Sequence, residues 1–528
     1  VVSEKALQEF GSVSHARLNV GDRSYRLVIL PPGLRNFEDT TLALVREYLI
    51  RDGHIVSWVA PPDYVNGLLT EDLRELQASF GDRWLNSGPG SGFDKVRRYA
   101  PPGITFSGLL SGAKLFHQRR QFSGGQMVFL ANAEPEATVS GSMKLSGGSV
   151  EAWDPFTGRV EAYPFARQGG LVDISFSLPP AGSLLLCVRD ERTKAAAAPA
   201  PTSWSAVPAD GELAVEALEP NVLTLDYCDL TVADRTEKDL YFYDAQKKAF
   251  QAHGLERNPW DSAVQYKTNI LDLDKFPGNS GFEAVFWFRT VKSDAEDYAD
   301  LKAVVERPEL FRVLINDKEV EASPGEWWLD RAFGVYPIGP GVVSGRNKLT
   351  VRCRPFTIHC ELEPVYLVGA FRLAGAARGF ELLPPAPLAA GAWNDLGWPF
   401  YGSAVRYARS FTIPQDAVAA PYRLRLGTWL GATAEVYVGE RHVGSAAYPP
   451  SELDRTGALA AGKNEISVVV YGTLRNTLGP FHNDPPLGRA WPGSFQRGAE
   501  GGPPPGRGYS SVGYGLFEDF TLLKGAGR

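Results

Sequence analysis

The hydrophobic pattern changes period along the chain, and each change marks an expected change of architecture. Arg26-Leu-Val-Ile-Leu30 is a short apolar run ended by Pro31-Pro32-Gly33, as a buried strand would be. Leu42, Val45, Leu49 and Ile50 then recur at helical spacing up to Gly53. Ile55-Val-Ser-Trp-Val59 reads as the next strand, and Thr70 to Phe80 as a second helix capped by Thr70, with Leu73, Leu76 and Phe80 inward. Strand–helix alternation of this kind predicts a small parallel α/β (flavodoxin-like) unit over residues 1–105. Its strand-to-helix turn, Pro31-Pro-Gly-Leu-Arg-Asn36, has neither GxGxxG nor GxxxxGK, which argues against a nucleotide site.

From about residue 106 the period shortens to that of strands. Gln126-Met-Val-Phe-Leu-Ala-Asn132 and Ser183-Leu-Leu-Leu-Cys-Val188 flank a turn at Trp153-Asp-Pro-Phe-Thr-Gly158, predicting a small antiparallel β module over 106–192. Lys194-Ala-Ala-Ala-Ala-Pro-Ala-Pro201 lies in an expected linker, 193–205. The rest contains an internal repeat. Ser262-Ala-Val-Gln-Tyr266 recurs as Ser403-Ala-Val-Arg-Tyr407. Phe311-Arg-Val-Leu-Ile-Asn-Asp-Lys-Glu-Val320 corresponds to Ala434-Glu-Val-Tyr-Val-Gly-Glu-Arg-His-Val443, and Gly345-Arg-Asn-Lys-Leu-Thr-Val351 to Gly462-Lys-Asn-Glu-Ile-Ser-Val468. The offset is 141 residues for the first pair and 117 for the last, so order is kept while loops differ. Two β-sandwich jelly rolls, 206–380 and 381–528, explain the pattern, with Tyr266 expected over Tyr407 and Asn347 over Asn464. The fold class is therefore multidomain and mostly β.

Composition sharpens this reading in three ways. Gly 55 and Pro 39 together exceed ordinary usage, and with Trp 12, Tyr 20 and Phe 28 they favour strands and turns. A net charge of −7 without a basic cluster excludes nucleic acid as a natural partner. No apolar run approaches the roughly 20 residues of a membrane-spanning helix. The four cysteines, Cys187, Cys228, Cys353 and Cys360, show no zinc spacing and read as buried thiols, although Cys353 and Cys360 are close enough in sequence to pair.

The repeat motifs resemble the galactose-binding-like jelly rolls attached to glycoside hydrolases. Lys114-Leu-Phe-His-Gln-Arg-Arg120, Trp153-Asp-Pro-Phe-Thr-Gly158, Glu361-Leu-Glu-Pro-Val-Tyr-Leu-Val-Gly-Ala-Phe371, Gly397-Trp-Pro-Phe-Tyr-Gly402 and Thr473-Leu-Arg-Asn-Thr-Leu-Gly-Pro480 occur in that order. This succession resembles the C-terminal region of the α-L-rhamnosidase-like enzymes of glycoside hydrolase family 106, over most of residues 20–525. The resemblance implies a catalytic barrel N-terminal to this region, so no catalytic residue of that family is carried over. Gly439 stands where the first copy has Asn316, a departure within the second turn. The chain starts at Val1 with no signal peptide ahead of it, and is expected to be part of a longer, exported protein. Its expected partners are a glycan or rhamnoside substrate and its own upstream catalytic domain. The rival readings are a stand-alone multi-module lectin and a purely structural scaffold.

Chemistry in the chain itself is sparse. Glycoside cleavage needs two opposed carboxyl groups roughly 5–10 Å apart, and Asp154, Glu361, Glu363, Asp395 and Asp484 are the candidates. Asp154 before Pro155 is expected to cap a turn, and Glu361 and Glu363 to pair with Arg352 or Arg354. His15, His54, His117, His253, His359, His442 and His482 are scattered without HxH or HExxH, so neither metal nor cofactor is implied. His117 beside Arg119 and Arg120 is read as a solvated or paired cluster. Sugar recognition asks for a flat ring and a few planar polar groups. Trp398, Tyr401, Arg475, Asn476, His482 and Trp491, in Gly- and Pro-rich loops of the last module, are the expected carbohydrate-binding residues, while mid-strand Trp429 is assigned to the core.

Overall fold

A computed structural model describes residues 2–58, 60–86, 94–155, 157–193, 203–291, 297–479, 481–482 and 492–526. The described residues are mostly β and fall into two compact units, Val1–Pro199 and Ala200–Arg528.

The first unit opens with an antiparallel meander, Gly11–Ser14, Arg17–Val20 and Arg23–Tyr25. A parallel sheet follows in the order Leu27–Leu30, His54–Ser57, Trp84–Asn86. Helices Asp39–Ile50 and Asp72–Ser79 connect these strands, as the alternation predicts. Leu42, Val45 and Leu49 are buried, but Ile50, at the last turn, is 61% exposed. The second helix starts two residues later than expected, with the Thr70 hydroxyl accepting the Asp72 N–H at 3.2 Å.

The small β module is a sandwich of two antiparallel sheets. One runs Ile104–Ser107, Val139–Ser146, Leu171–Leu178, Ala166–Gln168. The other runs Leu115–Phe122, Gly125–Asn132, Ser183–Arg189, Ser149–Trp153, Val160–Ala162. Alternate residues such as Val128, Leu130, Met143, Ile174 and Val188 fill the space between them. Asp154 caps its turn by accepting the Thr157 hydroxyl at 2.7 Å. Arg119 is spent on Gln126 at 2.5 Å, and the His117 ring lies 5.1 Å from Phe106. Of the expected linker, 193–205, residues 194–202 lie outside the described residues, and its end is not linker but the start of strand Trp204–Ala206.

The second unit holds two sandwiches, one nested in the other. The inner one has a sheet in the order Arg235–Tyr241, Tyr227–Val232, Phe282–Thr290, Gly345–Cys353, Arg312–Ile315, Lys318–Val320. Facing it are Asn221–Leu225, Val365–Gly369, Lys302–Glu306, Asp330–Pro337 and Trp327–Trp328. The outer one repeats the order: Asp210–Ala217, Ala404–Ile413, Gly462–Tyr471, Thr433–Val438, Arg441–Ala446, facing Trp204–Ala206, Thr521–Gly525, Tyr422–Arg425 and Glu452–Asp454. The division at residue 206 therefore needs correction. Trp204–Ala206 pairs with Thr521–Gly525, and Asp210–Ala217 with Ala404–Ile413, so the outer sandwich begins before the inner one and closes after it.

Register fixes the repeat. Asn347 pairs with Phe288 and Asn464 with Phe411; Ile315 pairs with Leu349 and Val438 with Ile466. The Ser-Ala-Val-x-Tyr match is not part of it. Ser262–Tyr266 is irregular with Tyr266 61% exposed, whereas Tyr407 is a buried strand residue, and the register equates Tyr407 with Ala284.

In the Gly-x-Asn turn the glycine, not the asparagine, is left-handed. Gly345 and Gly462 take the positive φ, 89° and 88°. The asparagine two residues on staples the loop before it. Asn347 accepts the Val343 N–H at 2.8 Å and donates to Val343 O and Gly345 O; Asn464 does the same with Ala460 and Gly462. Asn347→Ala strands several buried backbone groups and is expected to cost about 2–3 kcal/mol in chemical denaturation. Asn464→Ala is expected to cost about 1–2 kcal/mol, because Asn347 alone also accepts from Asn316, at 2.9 Å.

Candidate functional site

The nesting creates a seam where the chain crosses between the two sandwiches, and those of the expected sugar-binding residues that are described lie along it. Gly397-Trp-Pro-Phe-Tyr-Gly402 runs in this seam rather than over a free end. Asn221, fully buried, donates to Gly397 O at 3.0 Å and Phe371 O at 2.9 Å, and Phe400 packs 5.1 Å from Phe380. Gly397 is required here, because at φ 88° a Cβ would stand 3.0 Å from Leu373 O.

Four of the expected residues are spent on structure. Tyr401 is 1% exposed; its hydroxyl donates to Ala404 O at 2.8 Å and accepts the Glu219 N–H at 3.1 Å. Asn476 donates to Val512 O and accepts the Val512 N–H, at 2.8 and 2.9 Å, as a strand neighbour would. His482 is buried, with Nε2 donating to Asp226 Oδ2 at 2.7 Å. Tyr227 and Tyr241 stand edge-on to its ring at 5.5 and 5.4 Å, and the Tyr509 hydroxyl reaches Asp226 Oδ1 at 3.4 Å. Burial pushes the Asp226 carboxyl up, against the downward pull of His482. The His482 Nδ1 atom is buried without a partner among the described residues. Arg475 is half-buried, clamped to Ser510 O at 3.3 Å with its guanidinium 4.8 Å from the Phe481 ring. The physical reason is common to all four: short planar polar groups in a seam satisfy backbone there, since unpaired buried polar groups are costly. Trp491, Asn483 and Asp484 lie outside the described residues.

Trp398 is different. It is partly exposed, held edge-on against Tyr401 at 4.9 Å, and it lines a shallow groove of about 400 Å³. Glu219 and Pro220, Asp300, Ala370 and Phe371, and Pro385 complete the walls. Glu219 lies on the crossing from the outer to the inner sandwich, Asp300 just before Lys302–Glu306. Both carboxylates are exposed, and neither side chain has an ion-pair or hydrogen-bond partner among the described residues. A flat ring beside two unspent carboxylates can cover the C–H face of a sugar and accept its hydroxyls. Glu219 and Asp300 carry no motif; only the crossing topology brings them to Trp398.

A second polar cluster lies in the inner sandwich. Glu361 accepts from Asn258 at 2.7 Å and Glu363 from Gln246 at 3.0 Å, in the irregular segment before Val365–Gly369. The expected pairing with Arg352 fails because Arg352 binds Glu283 at 2.7 Å across the strand pair. Burial, then the charges of Glu306 and Glu361, push the Glu363 carboxyl up to about 8. All four cysteines are free and buried; a hydrogen bond with the Cys353 thiol pulls the Cys360 thiol below its ordinary value. No group of three or more His, Cys, Asp or Glu among the described residues is arranged to hold a metal ion, and no described helix is long and apolar enough to cross a membrane.

No protein-family model matches the chain, and no curated protein matches it in sequence. Among solved structures, it is similar to a rhamnosidase from Novosphingobium sp. PP1Y at 16% identity and a TM-score of 0.48. That likeness covers 99% of this chain and 36% of the other, so the chain spans about a third of that protein's length. It is similar over 30% of its length to a β-glucuronidase from Bifidobacterium dentium, covering 28% of that chain, at 22% identity and a TM-score of 0.19. An exo-carrageenase from Bacteroides ovatus matches 32% of this chain and 23% of its own, at 12% identity and a TM-score of 0.20.

Proposed function

We propose that this chain is the accessory, carbohydrate-binding portion of a glycoside hydrolase resembling the α-L-rhamnosidases, and that catalysis belongs to a barrel outside it. The observation that carries the reading is the groove at Trp398, which a partly exposed ring lines together with Glu219 and Asp300, whose carboxylates have no partner among the described residues. The ordered motifs from Lys114 to Pro480 support the parentage. The described sheets support the division of labour, since none closes into a barrel.

Calorimetric titration of the full chain with rhamnose-containing oligosaccharides tests the proposal. Saturable binding is expected, weakened about tenfold or more by Trp398→Ala, which corresponds to about 1.4 kcal/mol. Glu219→Gln and Asp300→Asn are each expected to weaken it several-fold while leaving thermal unfolding unchanged, because both side chains are exposed. Aryl rhamnosides should not be hydrolysed by the chain. Turnover abolished by a single carboxylate substitution would overturn the division of labour.

A further inference from the structure

Strands Trp327–Trp328 and Asp330–Pro337 form one edge of the inner sandwich. Leu329, between them, is held at φ 59°, a left-handed conformation that bulky residues rarely adopt, and Trp328 pairs directly with Asp330 around it. Alternation along the strand sends the two adjacent tryptophans to opposite faces. Trp328 turns inward, 5.2 Å from the Tyr366 ring, and anchors the edge. Trp327 turns outward and is 53% exposed. Leu329 beside it is 42% exposed, so the edge presents two adjacent apolar side chains to solvent.

The Trp327 ring borders a depression of about 520 Å³ whose walls include Pro308, Pro324, Glu326 and Arg331. Its floor is fixed. Trp327 pairs with Gly334, where a Cβ would come within 2.6 Å of the Pro308 ring, so Pro308 sits directly on the strand backbone. The charges are uneven. Glu326 is tied to Lys302, which holds its carboxyl below the usual range, and Asp330 accepts the Ala332 N–H at 2.8 Å. Arg331 is exposed and has no partner among the described residues. One unspent planar cation therefore stands in the same depression as one exposed ring.

We propose that this depression is a second glycan subsite, selective for a sugar that carries a carboxylate, that is, a uronic acid residue. Trp327 covers the C–H face of the ring and the Arg331 guanidinium takes the carboxylate through two parallel N–H donors. The groove at Trp398 presents two unpaired carboxylates and repels such a sugar, so the two subsites divide neutral from acidic residues. The inference shares with the first groove only the premise that the chain meets glycans.

Titrating the full chain with a galacturonic acid trisaccharide and, separately, with a neutral galactose trisaccharide tests it. The acidic ligand is expected to bind saturably and at least tenfold tighter than the neutral one, with affinity falling as salt rises. Trp327→Ala and Arg331→Gln should each weaken acidic binding tenfold or more, and Arg331→Lys should restore part of it. Trp398→Ala should leave acidic binding unchanged, which separates failure of this subsite from failure of the first. Trp327 and Arg331 are both exposed, so thermal unfolding of the variants should match the parent. No saturable binding of the acidic sugar, equal affinity for the neutral one, or acidic binding indifferent to both substitutions would overturn the inference.

Discussion

His482→Ala is expected to lower the stability of the second unit by about 3–5 kcal/mol, because it leaves the Asp226 carboxylate buried without its donor. Asp226 follows Asn221–Leu225 of the inner sandwich, and His482 lies on the segment between Gly462–Tyr471 and Thr521–Gly525 of the outer one, so the 2.7 Å bond ties the two together. With Nδ1 unpartnered, the ring is best satisfied as the Nε2–H tautomer, one donor for one buried carboxylate. Phenylalanine replaces the ring without the donor, so His482→Phe should be nearly as damaging as alanine. Removing both partners should cost less than the sum of the single losses, with a coupling of about 1–3 kcal/mol. Urea denaturation of the parent, His482→Ala, Asp226→Ala and the double variant gives this cycle. Additive losses would show that the pair is incidental to the seam.

Glu363→Gln is expected to flatten the dependence of stability on pH between about 4.5 and 8. Burial raises the carboxyl to about 8 in the folded chain against an ordinary value of 4.5. A raised carboxyl favours folding while it stays protonated. Its contribution is therefore complete below pH 4.5 and is lost as pH climbs through the folded value. The parent should lose about 2 kcal/mol over this window from Glu363, less than the full shift implies because its segment keeps some contact with solvent. The glutamine variant keeps the hydrogen-bonding shape and cannot ionise. It should match the parent at pH 4.5 and exceed it at pH 8. Glu306 and Glu361 are raised as well, so a shallower slope in the same direction should remain. An unchanged slope in Glu363→Gln would show that Glu363 ionises freely in the folded state.

The parts of the fold legible in the sequence are those written by local period. The strands Leu27–Leu30 and His54–Ser57, the helix Asp39–Ile50 and the hairpin at Asn316-Asp317 are each written within their own short segment. Gly345-Arg-Asn347 and Gly462-Lys-Asn464 were legible as a repeat because one loop staple needs the same two residue types each time. Nesting was not legible. Trp204–Ala206 pairs with Thr521–Gly525 some 300 residues away, and nothing in three short residues names a distant partner. The match of Ser262-Ala-Val-Gln-Tyr266 to Ser403-Ala-Val-Arg-Tyr407 misled for the opposite reason: four shared letters in five occupy irregular chain in one place and run into a strand in the other.

The candidate site divides along the same line. Trp398 is visible as a ring in a Gly- and Pro-rich segment, and it does line a groove. Tyr401, Asn476 and His482 have equally suitable chemistry, yet the seam buries them. Loop residues are exposed only when nothing covers the loop: Tyr401 is buried in the outer core, Asn476 is held to Val512, and His482 is held to Asp226 of the inner sandwich. Glu219 and Asp300 are two among 61 acidic residues, without local distinction. Trp327 carried a usable signal, since adjacent tryptophans in an edge strand cannot both face one core.

The most direct test of the central claim is a crystal structure of the full chain soaked with a rhamnose-containing oligosaccharide. The account predicts a sugar ring lying against the Trp398 indole, with hydroxyls within about 3 Å of the Glu219 and Asp300 carboxylates. Sugar bound elsewhere in the second unit with the Trp398 groove empty, at a concentration that saturates binding in solution, would contradict it.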